Sequence, residues 1–172
     1  RKMLATAITD PDSNEVRILK GTLKRNSIGQ KAYRNPKTKG GVFAYNALPV
    51  RRAALAWASA TASADGLARA YLPFAGDGSV DGRRYFGAKG IEPLHRRQGG
   101  SECDRVLQKP QGWSQGFLKE QRKYFSPNPE SFGHAGLGGA LGWCDPVEGV
   151  AFGYVLNQLD WRVRSGRAVA LC

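Results

Sequence analysis

The densest run of chemistry-bearing positions is Ser131-Phe132-Gly133-His134-Ala135-Gly136-Leu137-Gly138-Gly139, followed by Asp145-Pro146 and by Phe152-Gly153-Tyr154-Val155-Leu156-Asn157. His134 is a proton-transfer group by type. Gly136 and Gly138 let the backbone come close to a substrate or to a packed helix. A histidine with no nucleophile beside it is more often structural. His95 and His134 are the only histidines, and Cys103, Cys144 and Cys172 contain no Cys-x-x-Cys pair. The spacing therefore predicts reduced, mostly buried thiols, with no metal site and no cofactor.

These residues need elements to hold them. Gly138 to Cys144 reads as a strand, Asp145 to Gly149 as a hairpin connection, and Val150 to Asn157 as a second strand. In that second strand Val150, Phe152, Tyr154 and Leu156 form the better-buried face. Residues 63–75 read as a helix. Ser63 is its N-cap, Asp65 lies in the first turn, Gly76 ends it, and Leu67, Ala70, Tyr71 and Phe74 make its apolar stripe. A short helix is expected over 88–96 and another within 160–172, interrupted at Gly166. Residues 3–8 fit a short strand or one helical turn. Residues 15–50 read as irregular, and 97–131 as loop-rich, anchored by Trp113, Phe117, Tyr124 and Phe125. No apolar run is long enough to span a membrane, and no secretory leader is read at the amino end.

Charge divides the chain. The net charge is +12, and residues 1–64 hold 12 basic and three acidic side chains. No acidic residue occurs between Val16 and Ala64, a stretch carrying Arg17, Lys20, Lys24, Arg25, Lys31, Arg34, Lys37, Lys39, Arg51 and Arg52. Such a surface attracts polyanions in a salt-dependent way. It fits RNA, anionic lipid or an acidic subunit, and it equally fits a plain solubilising surface.

The Gly-rich run, Asp-Pro and Phe-Gly-Tyr-x-x-Asn together resemble the serine beta-lactamase, penicillin-binding-protein and carboxylesterase superfamily, in its beta-lactamase-related branch. Upstream segments follow the same order: Arg51-Arg52-Ala53-Ala54, the helix through Leu67-Ala68-Arg69-Ala70-Tyr71, Gly76 to Arg83, and Phe125-Ser126-Pro127. The resemblance runs from about residue 40 to 170 and covers only the C-terminal part of that family's domain. It implies an α+β fold: antiparallel C-terminal strands packed with helices, preceded by an irregular basic arm. The implied division is a basic arm over 1–42 and a partial beta-lactamase-like domain over 43–172.

The same resemblance assigns His134, Ala135 and Gly136 to the three places of the family's Lys-Thr-Gly or His-x-Gly box. Leu137 then supplies an oxyanion-hole N–H. The family's nucleophile motif, Ser-x-x-Lys, occurs nowhere in these residues. Tyr33-Arg34-Asn35, Lys37-Thr38-Lys39-Gly40 and Ser126-Pro127-Asn128 are read as chance near-matches to other family motifs. Two functions follow as expectations. The first is a non-catalytic, beta-lactamase-like subunit of a larger assembly, with other protein subunits as partners. Its setting would be intracellular, such as a mitochondrial ribosome or respiratory assembly. The second is the C-terminal half of a split serine hydrolase whose nucleophile lies on another chain. A stand-alone RNA-binding role ranks below both, since no RNA-binding module is recognised.

Overall fold

The computed structural model describes residues 9–38, 41–58, 60–119, 125–163 and 166–171. Lys39, Tyr124, Cys172 and the expected element at 3–8 lie outside these residues. The architecture is α+β, with a six-stranded antiparallel meander at its centre. Two further strands, β1 (Ser79–Val80) and β2 (Arg83–Arg84), form a separate small hairpin. The main sheet holds β3 (Gly99–Ser101), β4 (Gln111–Ser114), β5 (Phe117–Lys119), β6 (Phe132–Ala135), β7 (Leu141–Asp145) and β8 (Val150–Tyr154). The main sheet runs β3-β4-β5-β6-β7-β8 in chain order.

One helix dominates the packing. The Ala64–Ala75 helix, capped by Ser63 Oγ accepting the Gly66 N–H at 3.0 Å, lies across β7 and β8. It sits close because the strand residues beneath it are glycines. A Cβ on Gly142 would fall 2.5 Å from the Tyr71 ring, and one on Gly153 only 2.3 Å from the Ala64 carbonyl oxygen. Tyr71, Ala75, Leu94, Phe132 and Cys144 form the core on this side, with Leu67 and Phe74 packed against them. Ala70 does not join them and is exposed, because it falls outside the stripe of Ala64, Leu67, Ala68, Tyr71 and Ala75. The opposite face of the sheet is covered by Leu118, Phe125, Leu141, Trp143 and Ala168. β7 is buried along its whole length.

Several sequence expectations need correction. Residues 15–50 are not irregular. They contain α1 (Asn14–Leu23), α2 (Ile28–Tyr33), a 3-10 turn (Gly41–Asn46) and α3 (Leu48–Arg52). The Ala64–Ala75 helix is therefore α4. Val16 and Ile18 of α1 are buried, and Asn14 Nδ2 donates to the Leu107 carbonyl at 2.6 Å. Ser27 caps α2 by accepting the Gln30 N–H, and Gly29 lets α2 approach the backbone of Gly21, 3.1 Å from where its Cβ would stand. Charge density hid these helices, because every third or fourth apolar position alternates with a cation.

The stretch 97–131 is also more ordered than its composition suggests, since it supplies β3, β4 and β5. β4 and β5 are joined through Gln115 and Gly116, both at positive φ (45° and 91°), the twist of a tight two-residue hairpin. The 88–96 expectation holds as α5 (Ala88–Ile91) running into a 3-10 turn, Glu92–His95. The final helix, α6 (Gly166–Val169), starts at Gly166 rather than being interrupted there. The β7 strand begins at Leu141, because Gly138 and Gly139 take φ of 82° and 121° in the preceding turn. Val150 opens β8 but is exposed, where the alternation placed it on the better-buried face. Cys144 is buried as expected, and burial pushes its thiol up to about 12; Cys103 is exposed.

Candidate active-site strand

The approach to the strand box is fixed from two sides. Lys119, on β5 and buried, donates from Nζ to the carbonyls of Pro129 (2.6 Å) and Ser131 (3.1 Å), and lies 5.9 Å from the centre of the Phe132 ring. On the other side the buried Asp145 carboxylate accepts from Ser126 Oγ, from Asn128 Nδ2 at 2.8 Å, and from the backbone N–H groups of Val147 and Glu148. Burial alone would raise the Asp145 carboxyl, but these hydrogen bonds together hold it below the ordinary carboxylate value. Ser126 and Asn128, one of the chance near-motifs, thus have a structural job. They hold the loop that feeds β6.

β6 then presents His134 and Ala135 at its end. His134 is exposed and opposite Gly142 in register; its ring lies 6.0 Å from that of Trp113. A backbone hydrogen bond from His134 reaches Tyr71, whose phenol burial drives well above its ordinary value, so it stays protonated. Ala135 is half-buried and packs against the Trp143 side of the sheet.

Beyond Ala135 the chain turns. Gly136 N–H donates to the Ala140 carbonyl at 2.7 Å, Gly139 N–H to the Gly136 carbonyl at 3.3 Å, and Gly138 N–H to the Arg162 carbonyl at 3.2 Å. Leu137 stands between them with a side chain 51% exposed. Among the described residues its N–H has no acceptor. The N–H groups of Gly136, Gly138 and Gly139 are therefore used, two within the turn and one on Arg162.

The turn is docked onto the segment after β8. Asp160 N–H donates to the Gly138 carbonyl at 2.8 Å, and a Cβ on Gly138 would strike Leu159 at 2.8 Å. Gln158, Leu159, Asp160, Trp161, Arg162 and Arg167 line an open cleft here, with the Arg162 guanidinium 5.3 Å from the Trp161 ring centre. Sequence reasoning singled out His134 to Leu137 but not this docking, nor Lys119 and Asp145 as supports. Asp145-Pro146 was read as a turn and as part of the resemblance, and the partner segments are distant in sequence.

The basic positions form no single cluster with the box. Arg17, Lys20, Lys24, Arg25, Lys31, Arg34 and Lys37 lie exposed on or beside the α1–α2 hairpin, and Arg51 and Arg52 lie exposed on α3. No helix among the described residues is long and apolar enough to cross a membrane.

Fold and strand box together define a partial serine beta-lactamase-like domain. The chain is 36% identical over 111 residues to an esterase/beta-lactamase, LipL, of Mycobacterium tuberculosis, covering 64% of this chain and 25% of that protein. It is similar in structure to a penicillin-binding protein homologue from Caulobacter crescentus (TM-score 0.60, 34% identity, 64% of this chain and 30% of the other). It also resembles a family VIII carboxylesterase (TM-score 0.56, 32% identity, 61% and 28%) and EstA from Arthrobacter nitroguajacolicus (TM-score 0.59, 29% identity, 73% and 34%). No family model matches the chain. The chain is thus a relative of the beta-lactamase, penicillin-binding-protein and family VIII carboxylesterase proteins over part of its length. It spans about a quarter to a third of the length of those it matches.

Proposed function

We propose that residues 43–172 are the C-terminal portion of a serine hydrolase of the esterase/beta-lactamase type, forming the oxyanion wall of its site, with residues 1–42 as a basic appendage. The observation that carries this reading is the Leu137 N–H just beyond β6, which has no acceptor among the described residues while the N–H groups of Gly136 and Gly138 on either side are both used. In acyl transfer such a donor stabilises the negative charge that grows on the carbonyl oxygen. The serine that attacks, and the groups that take its proton, must come from a Ser-x-x-Lys-bearing segment that these 172 residues do not contain. His134 lies three residues before that donor, where in this reading it contacts the leaving or acyl group rather than acting as the nucleophile's base.

Two further features support completion by a second segment. Among the described residues β8 is the last strand of the main sheet, with a neighbour on one side only. Val150, at its start, is exposed on that strand. The names of the relatives point to ester and beta-lactam substrates, and an ester is the substrate class we assign here.

The test separates the Leu137 backbone from its side chain. Leu137→Pro removes the N–H, and Leu137→Ala keeps it. In the chain isolated with its accompanying polypeptides, the rate of serine acylation by an activated ester should fall roughly 100-fold or more for L137P. It should stay within about twofold for L137A, since that side chain projects into solvent. Equal rates for both variants would remove the oxyanion role. Absence of any acylated serine would instead leave a non-catalytic subunit of a larger assembly.

A further inference from the structure

We propose that the tip of the α1–α2 hairpin docks onto an anionic lipid surface. Leu23 closes α1 and Ile28 opens α2, so both side chains flank the same short turn. Both are left in water, 61% and 44% exposed. Exposed Lys24 and Arg25 follow Leu23 in the turn, and exposed Lys31 lies three residues after Ile28 on α2. No acidic residue between Val16 and Ala64 is available to neutralise these cations locally.

That combination is specific in its chemistry. Aliphatic side chains enter the boundary between headgroups and acyl chains, while lysine and arginine stems extend outward to place their charges at lipid phosphates. The hairpin's one acidic residue, Glu15, lies in the first turn of α1, at the end away from the tip; anionic headgroups offer the tip's cations the opposite charge, and the attraction weakens as salt screens it. An RNA partner would use the cations but gain nothing from Leu23 and Ile28. It would also seek aromatic faces to stack on, and the hairpin's one aromatic, Tyr33, is half-buried beside Asp104.

The hairpin can present this tip rigidly. α1 is anchored to the body through Asn14 and the Leu107 carbonyl, and α2 is held against α1 at Gly29 and Gly21. Lys20 also donates to the Pro11 carbonyl at 3.1 Å, which steadies the base of the basic stripe.

The experiment is flotation of the full 172-residue chain with phosphatidylcholine vesicles, with and without phosphatidylglycerol, against poly(U) RNA as a competitor. The proposal expects binding only where phosphatidylglycerol is present, declining as salt is raised. The double variant Leu23→Ser/Ile28→Ser, which preserves every charge, should bind these vesicles about tenfold more weakly or worse. Lys24→Gln/Arg25→Gln should also weaken binding, by the electrostatic route. Circular dichroism of each variant, matched to the parent, shows that the hairpin is still formed. Vesicle binding unchanged in L23S/I28S overturns the proposal. So does failure to enrich on phosphatidylglycerol vesicles, or tight poly(U) binding that ignores the serine substitutions while vesicle binding is absent.

Discussion

Asp145 shows how much of this molecule depends on one buried charge. Its carboxylate accepts hydrogen bonds from Ser126, Asn128, Val147 and Glu148, joining the loop before β6 to the turn after β7. Replacing it with Asn sets an amide N–H₂ against groups that already donate, at a cost on the order of 2–3 kcal/mol. The pH dependence has a definite sign. The folded carboxyl titrates below its ordinary value. Below roughly pH 4 the unfolded chain therefore binds more protons than the folded one. Asp145's contribution is fully present above that range and is lost as pH falls through the lowered folded value. Urea titrations between pH 3 and 7 should show a steep acid limb in the parent and a flatter one in Asp145→Asn. An unchanged acid limb would mean that other carboxyls govern acid unfolding.

At the level of elements, α4 and the two strands beneath it were the most legible part of the sequence. Ser63, Asp65 and Gly76 marked the helix ends, and the alternation after Gly149 marked β8. What the sequence did not show was why α4 can lie so low. Gly142 and Gly153 read as ordinary glycines of a Gly-rich segment, and only the packing reveals them as the floor under the helix. Gly153→Ala drives a methyl into the backbone at Ala64 and Ala68, 2.3 and 2.7 Å away. Gly142→Ala meets the Tyr71 ring, which has more room to shift. Denaturant midpoints should place G153A about 2–3 kcal/mol below the parent, with G142A less affected. Gly99→Ala meets nothing within 4 Å and should be neutral within about 0.5 kcal/mol. If G153A matched G99A, the close approach of α4 would be wrong.

The same lesson applies to α1 and α2. Ser13 at the N-cap position of α1, the capping Ser27 of α2, and Val16 and Ile18 are all present in the sequence. A net charge spread over every apolar interval masks the helical period, so the segment read as irregular. The short strands β3, β4 and β5 were hidden for another reason. Each holds only three or four residues. Glycine and polar residues fill much of β3 and β4, so only the sheet as a whole makes them strands.

Across the whole molecule, the end of β6 is held from several parts of the chain, and the proposed function asks for a second segment to face it. The strand box was readable because its residues are contiguous. Its supports were not, because Lys119, Asp145 and the 158–162 segment reach it from three separate stretches of the chain. Among the described residues β8 is an edge of the main sheet and the Leu137 N–H has no acceptor. Under the proposed function, a nucleophile-bearing segment from outside these residues would extend the sheet and face that N–H. The most direct measurement is therefore peptide mapping after treating the native preparation of this chain with a serine-directed acylating probe. The account predicts one modified serine, followed three residues later by a lysine, in sequence outside these 172 residues. That modification should be suppressed when Leu137→Pro replaces the native residue. A native preparation in which no serine is modified would contradict it, leaving the hydrolase-like wall as a packing surface alone.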